Sequence, residues 1–284
     1  MKAKADFKII REKPTTLLID GGNGLGIPVA AKATRRVIEK AKKMGVAAAS
    51  VRNLGHVGML AYYTLKVAEK SLIGLATANS PARVAPWGGA NAILGTNPIS
   101  FSFPSGDHPI TIDMATSSMA SFKIRLAALR GERIPEGVAL SREGKPTTDP
   151  REAVKGFLLP FGAYKGYGLS LIVEILSAAI SGAQLSKFVF RHPSTQGGFF
   201  IMAIDPAAFR SYEEYEAEVR ELTNLVKSCP PAYGFDEVLL PGEPERRVYE
   251  ERVRRGVPID REIWESLAEV SKQLGVSLPK PKTS

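Results

Sequence analysis

Apolar and polar positions alternate with two different periods along the chain, and the changes of period mark its elements. The run Thr15-Thr-Leu-Leu-Ile-Asp20 has the short apolar pattern of a strand, whereas between Val29 and Met44 the positions Val37, Ile38 and Ala41 recur at helical spacing. The intervening cluster Gly21-Gly-Asn-Gly-Leu-Gly26 is expected to turn the chain. A second unit follows, with a strand from Val46 to Val51, a loop Arg52-Asn-Leu-Gly-His-Val-Gly58 and a helix from about Met59 to Lys70. Strands are expected over 73–78, 99–103 and 110–113, with Pro- and Gly-rich loops between them. The stretch 130–149, rich in Gly, Pro and charge, is expected to be an exposed excursion rather than core. Residues 169–181 read as a strongly apolar helix, 199–204 as a strand, and 212–227 as a charged helix with Glu216 four residues before Arg220. After a loop around Pro241-Gly-Glu-Pro-Glu245, Glu250 and Arg254 are helically spaced, as are Glu251 and Arg255, and 260–274 forms a last helix. This alternation predicts an α/β fold with a mixed sheet flanked by helices.

Composition narrows the classes. A chain of 284 residues that is 44% hydrophobic and 24% charged can bury a real core, which excludes a peptide scaffold and wholesale disorder. One cysteine, Cys229, makes no internal disulfide, and no H-E-x-x-H, Cys pair, G-x-S-x-G or acidic metal cluster is present, so no metal is expected. The start, Met1-Lys-Ala-Lys, is basic without the apolar core of roughly 7–15 residues that a secretory signal carries. The apolar stretch Leu169 to Ile180 holds Glu174 in its middle and is shorter than the roughly 20 residues of a membrane span. A cytoplasmic protein with no membrane partner is expected. The net charge of +9 attracts anions. With no RNA-recognition, zinc-finger or basic-aromatic pattern beside it, no nucleic-acid partner is expected.

Candidate chemistry gathers in loops. His56 lies between a strand and a helix, at the carboxyl end of the strand, where ligands bind in open α/β sheets, and imidazole suits proton transfer near neutrality. The plainer alternative is a histidine capping the next helix. His108 and His192 sit in turns that look like solvent loops. Asp113-Met-Ala-Thr-Ser-Ser118 ends a strand and is expected to open a helix, with Thr116 or Ser117 as its cap and free N–H groups as an anion site, or as a plain cap only. Lys165 in Gly162-Ala-Tyr-Lys-Gly-Tyr-Gly168 precedes the apolar helix and can hold an anion, or is a surface lysine beside a turn; the P-loop spacing is absent. The cluster Gly21 to Gly26 fails the dinucleotide fingerprint, because Ile27 stands where a small residue is needed.

Taken in order, several loops carry more than any one does. Arg52-Asn-Leu-Gly-His-Val-Gly58, Ala85-Pro-Trp-Gly-Gly89, Leu94-Gly-Thr-Asn-Pro-Ile99, Asp113-Met-Ala-Thr-Ser117, Ile134-Pro-Glu-Gly137, Lys165-Gly-Tyr-Gly168 and Pro241-Gly-Glu-Pro244 closely resemble the malate/L-lactate dehydrogenase family, which also includes ureidoglycolate and sulfolactate dehydrogenases and cyclic imino-acid reductases. The resemblance runs from about Thr16 to Glu245. It implies a non-Rossmann NAD(P)-binding fold, NAD or NADP as cofactor, a small 2-hydroxy or 2-oxo acid of malate or L-lactate type as substrate, and a homodimer. It places the catalytic proton donor and acceptor at His56, and cofactor contacts at Ser80, Met114, Ala115, Thr116 and Lys165 and in the loop Gly242, Glu243, Pro244 and Glu245. Three parts are implied: 1–56 as a first α/β unit packing with the C-terminal part, 57–205 as the cofactor-binding domain, and 206–284 as a helical part returning to the first unit.

The chain departs from the family pattern in places. Val57 stands where His-Phe-Gly is common, and Tyr164 where a histidine precedes the lysine. The family's N-terminal helical segment, with a Ser-His-Gly element and a carboxylate-holding arginine, has no match here; Arg52 and Arg83 are possible substitutes. An active dehydrogenase is the first reading, and an N-terminally shortened, inactive or regulatory nucleotide-binding relative is the alternative.

Overall fold

A seven-stranded sheet organises the first of two compact units, one up to Val238 and the other from Leu239 onward, in the computed structural model. Residues 7–106, 108–190 and 196–279 are described. The sheet comprises β1 (Lys8–Glu12), β2 (Thr16–Gly24), β3 (Val46–Leu54), β4 (Ile73–Ala78), β5 (Ile99–Phe103), β6 (Ile110–Met114) and, numbered last along the chain, β10 (Gly197–Ile204). Their spatial order is β1-β2-β3-β10-β4-β5-β6. Only β2 and β3 run parallel, joined by helix α1 (Gly26–Met44); every other pairing is antiparallel. The expected mixed, non-Rossmann α/β sheet is thus present.

Helix α1 forms because Val29, Ala33, Val37 and Ala41 recur along one stripe, which is buried in the same cluster as Leu17 and Ile19 of β2. β10 is apolar on both faces, as a central strand covered on both sides must be. Its Phe199 is fully buried and meets Tyr63 edge-on at 5.1 Å between ring centres. Burying such a side chain contributes roughly 2–3 kcal/mol. Tyr63 belongs to α2 (Ala61–Ala68), which packs on β4 and β5.

A smaller sheet, in the order β8-β7-β9, is made by β7 (Ala139–Leu140), β8 (Pro146–Thr147) and β9 (Phe157–Leu158). With α3 (Ser121–Arg130) and α4 (Pro150–Lys155) it builds a second core from Val84, Leu94, Ile124, Ile134, Val138, Ala153 and Leu158. The stretch 130–149 is therefore not merely an exposed excursion. Its charged residues face solvent, while Ile134, Val138 and Ala139 supply part of this core and Leu140 is buried next to Ala139.

Helix α5 (Tyr164–Glu174) begins five residues before the apolar run and passes into a wider π-type turn over Ile175–Ala179. Helix α6 (Tyr212–Lys227) starts with a capping box, Ser211 and Glu214 bonding each other's backbone N–H, and Arg220 reaches Glu216 at 3.3 Å as its spacing implies. The second unit contains α7 (Glu243–Arg255) and α8 (Arg261–Leu274). There Arg255 pairs with Glu251 at 3.2 Å, but the Glu250 carboxylate pairs with Arg246, and Arg254 donates to the Glu250 carbonyl instead. Among the described residues no helix is long and apolar enough to cross a membrane.

The glycine cluster after Asp20 does not end the strand. β2 continues to Gly24, with Gly22 and Asn23 at positive φ and a register shift between the pairs Asp20–Arg52 and Gly24–Leu54. Asp20 anchors this bulge, accepting from Gly22 N–H, Arg52 Nε and Asn53 Nδ2, each at 2.9 Å. Burial works to raise its pKa, but these bonds and the Arg52 charge outweigh burial and hold the carboxyl below its ordinary value. The stability it contributes is present above the unfolded carboxylate pKa of about 3.9 and is lost as pH falls through the lower folded value. Asp20→Asn is expected to cost about 1–2 kcal/mol at pH 7 and to weaken the acid-side fall in stability, measured by urea unfolding from pH 7 to pH 2; an unchanged acid limb contradicts the anchor.

Candidate active site

His56 follows the end of β3, in a loop fixed from below. Val57 and Leu60 are buried, and Tyr63 donates from its hydroxyl to the Val57 carbonyl at 2.6 Å. Burial, and then neighbouring Tyr62, pushes the Tyr63 pKa up to about 12, so it stays a donor. The His56 imidazole is exposed and makes no hydrogen bond among the described residues. It does not cap α2, which starts at Ala61 after Leu60 without a side-chain cap. Gly26 lets the start of α1 abut this loop, since a Cβ there would lie 2.2 Å from the Gly55 carbonyl oxygen and 2.5 Å from that of His56. The Ala61 N–H donates to Asp113 Oδ2 at 2.8 Å, tying the far end of the His56 loop to the strand that ends in Met114.

Thr116 and Ser117 do not cap a helix. Helix α3 starts only at Ser121, and the two hydroxyls turn inward: Thr116 Oγ1 donates to the Thr96 and Asn97 carbonyls at 3.2 and 3.0 Å, and Ser117 Oγ to Met119 O at 2.9 Å. This local satisfaction holds the chain extended past the strand end. Ser80 meets the same turn: its Oγ accepts from Thr96 N–H at 2.9 Å, and Thr116 N–H donates to Thr96 O at 2.9 Å. Thr116 is buried, Ala115 half-buried, and Met114 39% exposed, so an apolar side chain is presented beside these polar groups.

Lys165 lies inside the first turn of α5 rather than ahead of it. That turn abuts Thr116 directly. Phe161 N–H donates to Thr116 O at 3.1 Å, and a Cβ on Gly166 would come within 2.7 Å of the same oxygen. The Lys165 ammonium is exposed and has no ion pair among the described residues. Ser80, Met114 to Thr116 and the Lys165 turn are thus one stitched group, to which the His56 loop is joined through Asp113.

Other candidates stand apart. His108 lies in an exposed turn, its N–H bonded to Ser105 O at 3.2 Å, and His192 lies outside the described residues. Arg52 is committed to Asp20, and Arg83 donates to Val154 O at 3.1 Å beneath α4, with burial, then Arg125, lowering its pKa. In the second unit, Gly242 at positive φ opens α7, Pro244 and Glu245 lie in its first turn, and Glu243 pairs with Arg247 at 2.6 Å and accepts from Leu240 N–H at 3.0 Å. A hollow of about 380 Å³ along α6, lined by Glu213, Glu216, Arg220 and Asn224, contains none of the candidates.

Sequence reading missed a buried polar cluster beneath the group, built on Asn97 and Glu174. Glu174 had a visible signal, a carboxylate in the middle of an apolar helix; Asn97 had none beyond its place in the Gly95-Thr-Asn-Pro98 turn.

The profile of the malate/L-lactate dehydrogenase family matches residues 1–268. The chain belongs to this family. By that membership it is an oxidoreductase of the dehydrogenase kind. L-sulfolactate dehydrogenase of Methanocaldococcus jannaschii is 42% identical over 280 residues, covering 97% of this chain and 80% of that protein. Malate dehydrogenase of Pyrococcus horikoshii is 39% identical over 281 residues, covering 95% and 78%. Among solved structures, the M. jannaschii sulfolactate dehydrogenase superposes with a TM-score of 0.89 at 42% identity, covering 96% of this chain and 80% of that one. The Entamoeba histolytica malate dehydrogenase does so with 0.93 at 31% identity, covering 99% and 82%.

The approach of α1 to the His56 loop gives a direct test in this family member. Gly26→Ala must displace backbone, and is expected to cost about 1–3 kcal/mol in urea unfolding; stability equal to the parent would show that the two backbones are not in contact.

Proposed function

We propose that this chain transfers a hydride between NAD or NADP and the hydroxyl-bearing carbon of a small 2-hydroxy acid of malate or L-lactate type, with His56 as the proton donor and acceptor. The observation that carries the reading is the exposed His56 imidazole, without a hydrogen bond among the described residues, on a loop hydrogen-bonded to the strand end that also supports Ser80, Thr116 and the Lys165 turn.

The donor set fits a dinucleotide. The exposed Lys165 ammonium, without an ion pair among the described residues, answers a phosphate, the Ser80 hydroxyl answers a ribose or amide group, and half-exposed Met114 offers an apolar surface to a ring. Within the segment 57–205 these residues form the cofactor-binding part, with Ala115 beside them. The nicotinamide, when bound, accepts or returns the hydride. The chain's own task is to hold the substrate carbon in line and to take the hydroxyl proton onto the imidazole during oxidation, returning it during reduction. The net charge of +9 favours approach of anionic cofactor and acid alike.

Relatives are named malate dehydrogenase and L-sulfolactate dehydrogenase, and one from Chromohalobacter salexigens is named for NADP(+). Oxaloacetate, pyruvate and sulfopyruvate with both reduced cofactors are therefore the panel to test. No observation favours the inactive, nucleotide-binding reading, which the same panel separates by turnover.

We also assign a homodimer to the exposed apolar face of α5 and its π-type turn, where Ile172, Ile175 and Ile180 are each about half exposed. An unpartnered face of this kind is a signature of association.

Two outcomes test these readings. His56→Ala is expected to lower kcat about 10²–10⁴-fold with the dissociation constant of the reduced cofactor unchanged, whereas Lys165→Ala weakens cofactor binding; equal loss of binding and turnover in His56→Ala contradicts the role. Ile175→Asp is expected to convert a dimer to a monomer by light scattering, and a dimer that persists refutes the assigned face.

A further inference from the structure

Asn97 is fully buried, yet its backbone sits at a φ of +37°, a region that non-glycine residues seldom occupy and that surrounding contacts must enforce. The contacts are specific. Asn97 Oδ1 accepts from the Ser80 N–H at 3.2 Å and from Ser186 Oγ at 3.3 Å. Its Nδ2 donates to Ser170 Oγ and to Glu174 Oε1, both at 3.0 Å, and its carbonyl accepts from Thr116 Oγ1 at 3.0 Å. One residue therefore touches two of the candidate cofactor contacts, Ser80 and Thr116, and the helix that carries another, Lys165.

Glu174 backs this hub. It is 6% exposed and has no cationic partner among the described residues. N–H groups hold it instead: Asn97 on one oxygen, and Ser186 N–H at 3.2 Å and Asn79 Nδ2 at 3.5 Å on the other. A buried carboxylate held only by neutral donors is costly to replace, because any change leaves donors unmatched. Glu174 lies nine residues beyond Lys165 on α5, about 13 Å along the axis at about 1.5 Å per residue, so its bonds fix how far that helix can slide.

We propose that Asn97, held by the buried Glu174 carboxylate, is a positioning residue that sets the spacing of Ser80, Thr116 and the Lys165 turn for the dinucleotide. The inference rests on the cofactor reading given above.

An exchange of polarity tests it. Asn97→Asp sets two carboxylates face to face, and Glu174→Gln turns an amide donor toward either Asn97 or the Ser186 and Asn79 donors. When both substitutions are combined, the amide nitrogen introduced at position 174 donates to the carboxylate introduced at position 97. The amide oxygen at 174 keeps the Ser186 and Asn79 bonds, and the pair retains the shape and total charge it has in the parent. Each single variant is expected to weaken binding of the reduced dinucleotide, read by nicotinamide fluorescence, at least about tenfold and to raise its KM more than it lowers kcat; the double variant returns binding to within about threefold of the parent. Thermal melting of each variant runs alongside. Single variants that bind as the parent does, whether or not they melt lower, overturn the inference, as does a double variant no tighter than the weaker single one. If a single variant does not fold, Ser170→Ala removes only one acceptor of Asn97 Nδ2; about threefold weaker binding supports the role and unchanged binding overturns it. A parent chain that binds neither reduced NAD nor reduced NADP overturns the cofactor reading itself, and the inference with it.

Discussion

Loops that leave the ends of a sheet carry backbone groups with no ladder to satisfy them, and the candidate site depends on how those groups are matched. Here the short turn at Thr96 and Asn97 does most of the matching, accepting from Thr116 and bonding Ser80 through both its backbone and its side chains. Without that turn, the end of β4, the end of β6 and the start of α5 would be three separate loops. With it they become one surface, and the cost of burying Asn97 and Glu174 is offset by a nearly complete set of hydrogen bonds.

Two apolar cores support this surface from different sides. The larger one, under α1 and α2, fixes the parallel pair β2 and β3 and hence the origin of the His56 loop. The smaller one lies among α3, α4 and the three short strands, and holds Val84, Leu94 and Leu158, which flank the loops carrying Ser80 and Lys165. The proton-transfer candidate thus belongs to one core and the anion-binding candidate adjoins the other. Their connection runs through polar contacts: Ala61 to Asp113, then Thr116 to Phe161. Such an arrangement gives each group a rigid base while keeping the connection between them short.

Much of the main sheet was legible because its strands are short apolar runs bounded by Gly, Pro and polar residues, and because α1 and α6 have clear helical periodicity. β1 was not, since all five of its residues are exposed and pairing with β2, not burial, defines it. The start of α5 was hidden by Gly166 and Gly168, which ordinarily disfavour helix; at 166 the close approach of the Phe161 and Thr116 carbonyls requires a residue without a side chain. The core within 130–149 was masked by charge, because Ile134 is set apart from Val138 and Ala139 by Pro135-Glu-Gly137 and preceded by Arg133, which leaves no period to count. As for the site, the family resemblance named Ser80, Thr116 and Lys165, and hydrogen bonds in the structure link Ser80, Thr116 and the turn that carries Lys165. The hub at Asn97 was invisible because its importance lies in a side chain bonding residues 17 and 77 positions away.

Amide hydrogen exchange with and without a saturating reduced dinucleotide tests most directly whether these loops form one cofactor surface. Slowed exchange is expected together in the segments around Gly55 to Leu60, Ser80, Gly95 to Asn97, Asp113 to Ser117 and Phe161 to Gly166. Protection confined to the α6 groove, or to one of these segments without the others, would contradict the account.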